Sequence, residues 1–241
     1  CRQIRSSRPP ANAGKIFRAS AGDAFPGKVE RVILGSRIYR FCQARVQSVF
    51  LLIESLSAFV QLDNLVMIDR LTLKTADLLK HMPFRARLKN LSVNLSVAFG
   101  SKIVDLHFLA TFTQLTHLTI TGGGLLCDIS ALLHCKLHML TIFNSTVKDL
   151  SLLPELTMLK RISLVRCCNV TDISYLRHLT ALEWLKIQQC PRITDISCLV
   201  ECNRLSYFAM TGFAGNVPPS LYNTVDEIHV YDAEYNKLLH V

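Results

Sequence analysis

A short apolar phrase, Leu-x-x-Leu-x-Leu with other aliphatic or aromatic residues substituting for Leu, recurs along most of the chain and restricts its possible folds more than any other feature. It reads Ile68/Leu71/Leu73, Leu88/Leu91/Val93, Leu115/Leu118/Ile120, Leu137/Leu140/Ile142, Leu159/Ile162/Leu164, Leu182/Leu185/Ile187, Leu205/Phe208/Met210 and Val225/Ile228/Val230. Successive starts are 20 to 27 residues apart. The last three apolar-polar-apolar positions of each phrase have the alternation of a short strand with one buried face. One such strand cannot bury its apolar face alone, so the units must stack, and stacking copies of one unit builds a parallel sheet in a solenoid.

A second phrase follows the central strands. Asp128-Ile-Ser-Ala-Leu132, Asp149-Leu-Ser-Leu-Leu153, Asp172-Ile-Ser-Tyr-Leu176 and Asp195-Ile-Ser-Cys-Leu199 start 12 or 13 residues after their repeat starts, whereas Asp105 follows at 17, which implies extra residues near Val97–Lys102. Each Asp can accept the first free N–H groups of a short return helix on the far side of the unit, so its expected role is structural.

Over residues 62–232 the chain resembles leucine-rich repeat proteins. The unit Cys190-Pro-Arg-Ile-Thr-Asp-Ile-Ser-Cys-Leu199, with its counterpart from Cys167, looks like the cysteine-containing repeats abundant in trypanosomatid proteins. The inward residue closing each strand is Asn in the commonest repeats; here it is Cys167, Cys190, Ser96, Ser145, Gly123, Ala76 or Phe213. The resemblance implies an α/β leucine-rich repeat solenoid with a curved parallel sheet on the concave face and short helices or turns on the convex face. It implies a binding mode and no catalytic activity.

Three segments are expected: a basic extended N-terminal arm (1–28), an N-terminal cap (29–62) and the solenoid with its C-terminal cap (63–241). Val29–Leu34 imitates one strand, and Ile38, Phe41, Val49, Leu52, Leu56 and Phe59 have the spacing of an amphipathic helix. Half of the 241 residues are hydrophobic and mean hydropathy is +0.29, which excludes general disorder. The most apolar window, Val46–Leu62, is interrupted by Gln47, Glu54 and Gln61, so no membrane span is expected.

Charge is unevenly distributed. Residues 1–45 carry ten Lys and Arg against two acids, a net +8, whereas the remaining residues net +1. This asymmetry points to an anionic partner for the N-terminal region, nucleic acid before membrane surface. Arg2, Arg5, Arg8, Lys15 and Arg18 are the candidate RNA-phosphate contacts, and the Arg- and Ser-rich, acid-poor start resembles the remains of a mitochondrial transit peptide.

Nine cysteines include no Cys-x-x-Cys pair, so buried thiols in a reducing compartment are expected in place of a metal site or a disulfide framework. No Gly-x-Ser-x-Gly elbow is present. Gly122-Gly-Gly124 lacks the Lys-Ser/Thr of a phosphate loop and reads as a tight turn, while His134, Cys135 and His138 lie among repeat-core leucines. No catalysis, cofactor, metal or small-molecule substrate is expected.

The alternate strand positions face outward, beginning with Arg70, Thr72 and Lys74. Among them Arg161, Arg166, Trp184, Lys186, Gln188 and Tyr207 fall on neighbouring units and form the candidate protein-binding cluster. Two functional classes follow. The first is a non-catalytic scaffold subunit of a large ribonucleoprotein assembly, a mitochondrial ribosome or its assembly intermediate, with the arm on RNA and the solenoid on protein neighbours. The alternative is a protein-recognition adaptor resembling the substrate receptors of ubiquitin ligases, or an accessory subunit of a mitochondrial membrane complex. The expected location is the mitochondrial matrix, or otherwise the cytoplasm.

Overall fold

The computed structural model describes residues 16–18, 31–34, 63–70, 76, 79–95, 106–122 and 129–234. Its organising element is one parallel sheet of ten strands in sequence order: β1 (Ile16–Arg18), β2 (Arg31–Leu34), β3 (Asn64–Arg70), β4 (Asn90–Asn94), β5 (His117–Thr121), β6 (Met139–Phe143), β7 (Arg161–Val165), β8 (Trp184–Gln188), β9 (Tyr207–Thr211) and β10 (Glu227–Tyr231). From β4 to β10 the register is unbroken, with Leu91, Leu118, Leu140, Ile162, Leu185, Phe208 and Ile228 side by side. Leu118, Leu140, Ile162 and Leu185 are fully or almost fully buried, as the repeat register requires.

The return segments are 3-10 turns, including Ser130–His134, Leu153–Glu155, Ser174–His178 and Ser197–Glu201. The reason is in the spacing: Ile173, Leu176 and Leu179, like Ile196, Leu199 and Cys202, recur every third residue, and a helix of three residues per turn puts all of them on one face. These residues are buried against the inner face of the sheet, and the N–H of Leu176 and of Leu179 each reach back three residues at 3.0 Å. The core is this single layer between sheet and turns, repeated unit by unit.

The aspartates open the turns as Asx turns and not as side-chain caps at the residue adjoining the helix. Oδ1 of Asp149, Asp172 and Asp195 accepts the N–H two residues on, from Ser151, Ser174 and Ser197, at 2.8, 2.7 and 2.8 Å. Asp105 and Asp128 lie outside the described residues. Hydrogen bonds from the Ser151 side chain to Asp149 and from the Ser197 backbone to Asp195 hold both carboxyls below the usual carboxylate range. A depressed folded-state pKa contributes stability that is complete above the unfolded value of about 4 and is lost as pH falls through the folded value. The double variant Asp149→Asn, Asp195→Asn, which keeps the acceptor oxygens, is therefore expected to flatten the fall of the thermal midpoint between about pH 4 and pH 2. An acid limb identical to the parent's would show that these carboxylates contribute nothing.

At the strand ends, Cys167 and Cys190 occupy the inward closing position and are fully buried, as are Ser145 (2% exposed) and Phe213 (1%). The thiols serve as weak donors, Cys167 Sγ to Ile142 O at 3.6 Å and Cys190 Sγ to Gln188 O at 3.4 Å. A hydrogen bond to Cys190, followed by burial, pushes the Cys167 thiol well above its ordinary value. Burial also raises Cys135 and Cys202 to about 11 and Cys198 to about 12. All five of these thiols are free and buried, and Cys168 is exposed. Cys1, Cys42, Cys127, Ser96 and Gly123 lie outside the described residues.

The first repeat is read in the wrong frame by its sequence. Leu65 pairs with Leu91, so the position that corresponds to Leu91 is Leu65 of the phrase Leu62-x-x-Leu65-x-Met67 and not Leu71 of Ile68/Leu71/Leu73. Both phrases satisfy the apolar pattern. Pairing with β2, where Leu65 lies beside Val32, selects the earlier one. A bulge between Val66 and Arg70 absorbs the surplus residues and brings Arg70 opposite Asn94. Thr72, Lys74 and the extra residues at Val97–Lys102 lie outside the described residues, and the Ala76 closing position falls with the frame that proposed it.

The sheet also extends further toward the N-terminus than the repeat phrase. Within the stretch read as strand-like, Arg31–Leu34 forms a real strand, β2, and β1 pairs with it inside the segment read as an arm. The helix expected from Ile38 to Phe59 lies outside the described residues. Among the described residues no helix is long and apolar enough to cross a membrane.

Candidate functional site

Strand alternation projects three rows of side chains from the outer face of the sheet, one at each end of the strands and one at their middle. In register across β5 to β9, the first row reads His117, Met139, Arg161, Trp184, Tyr207; the middle row reads Thr119, Thr141, Ser163, Lys186, Ala209; the third reads Thr121, Phe143, Val165, Gln188, Thr211. The register therefore brings Arg161, Trp184 and Tyr207 into one row, with Lys186 and Gln188 beside them on β8. Arg161 is exposed, and Trp184, Lys186, Gln188 and Tyr207 are half-buried.

Trp184 and Tyr207 stack, their ring centroids 5.2 Å apart and their planes 8° from parallel. The ladder continues diagonally to His229, whose ring lies 5.9 Å from Tyr207 and tilts by 50°. His229 Nε2 is 2.7 Å from Glu227 Oε1, so this acid anchors the last ring from its own strand. Burial, then the charge of Glu227, raises the Tyr207 hydroxyl above its ordinary value. Sequence reasoning left His229 and Glu227 out of the cluster, because in-register counting places Glu227 beside Tyr207 whereas the ring contact is diagonal.

Arg166 stands apart from the other cations. It follows β7 in the left-handed region (φ 54°), as Asn144 (φ 51°) and Gln189 (φ 52°) follow their strands, and its Nε donates to Gln189 Oε1 at 2.7 Å. Gly122 occupies the same turn after β5 with φ 81°, which accounts for the first glycine of the run. At the opposite strand ends, Lys160 Nζ meets Glu183 Oε1 at 2.9 Å, and that bond together with the charges of Lys160, Arg161 and Arg204 holds the Glu183 carboxyl below the usual range.

Of the candidate RNA contacts, Arg2, Arg5, Arg8 and Lys15 lie outside the described residues, and Arg18 ends β1. His134 is exposed, His138 half-buried, and Cys135 Sγ donates to Leu109 O at 3.6 Å, so the three do not converge on a common point. Among the described residues no three His, Cys, Asp or Glu side chains come together as a metal site would require.

No protein-family model matches the sequence, and no curated protein matches it. Solved structures do match. An internalin (inlF) from Listeria monocytogenes shares the fold with a TM-score of 0.53 at 20% identity, over 75% of this chain and 58% of the internalin. Internalin C2 from the same organism gives a TM-score of 0.51 at 20% identity, over 73% of this chain and 74% of its own. The chain thus spans little more than half of the first of these proteins. With ten parallel strands in sequence order, a repeat of Leu-x-x-Leu-x-Leu and these neighbours, the chain has the fold of a leucine-rich repeat protein.

Proposed function

We propose that this protein is a non-catalytic scaffold that binds a protein partner on the outer face of its sheet, centred on β7 to β9. The observation that carries this reading is the stacked, half-buried Trp184–Tyr207 pair, beside Arg161 and Lys186, with Gln188 and Arg166 at the other end of the strands. Trp, Tyr and Arg dominate the energetics of protein interfaces, and here they are already held in fixed positions by the strands beneath, so little freedom is lost on binding. Trp184 is the only tryptophan of the chain, which makes the test direct. In a complex reconstituted with the native partner, iodide quenching of its fluorescence should fall severalfold; unchanged quenching would move the interface elsewhere.

The larger complex we propose is a ribonucleoprotein particle, a mitochondrial ribosome or its assembly intermediate, in which the first residues contact RNA. The supporting observation is the net charge of +8 in residues 1–45. If about four of Arg2, Arg5, Arg8, Lys15 and Arg18 touch phosphates, the logarithm of RNA affinity should fall with the logarithm of salt at a slope of about −3 to −4. Because β1 starts at Ile16, deletion of residues 1–15 is the clean test. It should remove most of that slope and leave the sheet intact. A truncated protein with unaltered RNA binding would refute the RNA reading and favour the protein-recognition adaptor.

A further inference from the structure

We propose that the partner of this face is an acidic peptide segment, whose carboxylates bind between Arg161 and Lys186 over the hydroxyls of Thr141 and Ser163, with a neighbouring apolar side chain on the Trp184–Tyr207 shelf. This rests on the proposed function and specifies the chemistry of its partner.

The middle row of the face forms a floor. Thr141 and Ser163 are adjacent in register on β6 and β7, and only 5% and 6% of their surfaces remain exposed because longer side chains rise on both sides. Met139, Arg161 and Trp184 form one wall; Phe143, Val165 and Gln188 form the other. Neither floor hydroxyl has a hydrogen-bond partner among the described residues. Both hydroxyls open onto the groove and are free to donate to an acceptor that comes from outside.

The surrounding charge identifies that acceptor. Lys186 is the register partner of Ser163, one strand spacing of about 4.8 Å away, and Arg161 lies two residues before Ser163 on the same face. Across β4 to β8 the outward rows contain no acid; Glu183, beside the rows, bonds Lys160 and its charge partly offsets Arg161, whereas Lys186 has no ion pair among the described residues. The field is felt by His117, whose pKa is lowered by burial and then by the positive charges of His138 and Arg161. Hydroxyl donors flanked by a guanidinium and an ammonium match a carboxylate in both charge and hydrogen bonding. The shelf begins where these cations end, so the segment is one that alternates acidic and apolar side chains. A nucleic acid would require bases to enter a ladder whose two rings already stack on each other.

The test uses the full chain and blocked synthetic heptapeptides, read through Trp184 emission. Glu-Leu-Glu-Leu-Glu-Leu-Glu should bind, and its all-glutamine counterpart should bind at least tenfold more weakly. Lys186→Gln, a surface change, should weaken the acidic peptide about tenfold, and Ser163→Ala should weaken it severalfold with the thermal midpoint unchanged. Equal binding of the glutamine peptide, no effect of Lys186→Gln, or preference for oligouridylate or a phosphoserine peptide would overturn the proposal. If these probes fail while the native partner still shields Trp184 from iodide, the partner chemistry is wrong and the interface stands. If shielding is absent too, the interface itself is wrong.

Discussion

Replacing Ile162 with alanine is expected to lower the free energy of unfolding by about 2 to 5 kcal/mol. Ile162 is fully buried in the middle of the sheet, between Leu140 on β6 and Leu185 on β8 in the same inward row. Truncation removes apolar surface from the core and leaves a cavity which two rigid neighbouring strands cannot close. The control lies three residues away: Val165 points to the half-buried outer row, where Val165→Ala should cost much less. Urea titration followed by far-ultraviolet circular dichroism measures both. A loss of similar size at the two positions, or a larger one at Val165, would mean that the strand faces are reversed.

Replacing Trp184 with alanine is expected to weaken partner binding by about 2 kcal/mol, roughly thirtyfold in affinity, with a much smaller effect on stability. The ring is half-buried, so its removal takes away its contact with Tyr207 at 5.2 Å but opens no cavity in the core. An aromatic pair of this kind contributes about 0.5 to 1.5 kcal/mol beyond burial, which sets the scale of the accompanying stability loss. Trp184→Phe, which retains a ring to stack, should recover much of both. Equivalent losses of affinity and of thermal midpoint would assign Trp184 to packing, and unchanged affinity would remove it from the interface.

Much of the architecture could be read directly from the residues. From Leu88 onward the phrase Leu-x-x-Leu-x-Leu locates every strand, and the Asp-Ile/Leu-Ser phrase locates the turns that follow β6, β7 and β8. This is legible because a stacked unit reuses the same neighbours, so one periodic pattern determines burial, strand position and turn position together. The pattern fails where two frames satisfy it equally. Leu62/Leu65/Met67 and Ile68/Leu71/Leu73 are both acceptable phrases, and only the pairing of Leu65 with Val32 and Leu91 chooses between them. Beyond that point the spacing of units becomes irregular, 33 residues from Arg31 to its partner Asn64 but 15 from Ile16 to Arg31, and β1, at three residues, is too short to carry any periodic signal.

For the candidate site, sequence alone determined which side chains face outward: strand alternation places Arg161, Trp184, Lys186, Gln188 and Tyr207 on one face, with Arg166 just past the end of β7. What they do to one another was decided by tertiary structure. Whether Trp184 stacks on Tyr207 or lies apart from it, whether His229 continues the ladder diagonally, and whether the Thr141 and Ser163 hydroxyls find partners all depend on rotamers and on the walls raised by adjacent units. Alternation is a property of a single strand, fixed by covalent geometry. Stacking, partnering and the depth of a groove exist only between strands, once some twenty residues of chain have returned each unit to the side of the last.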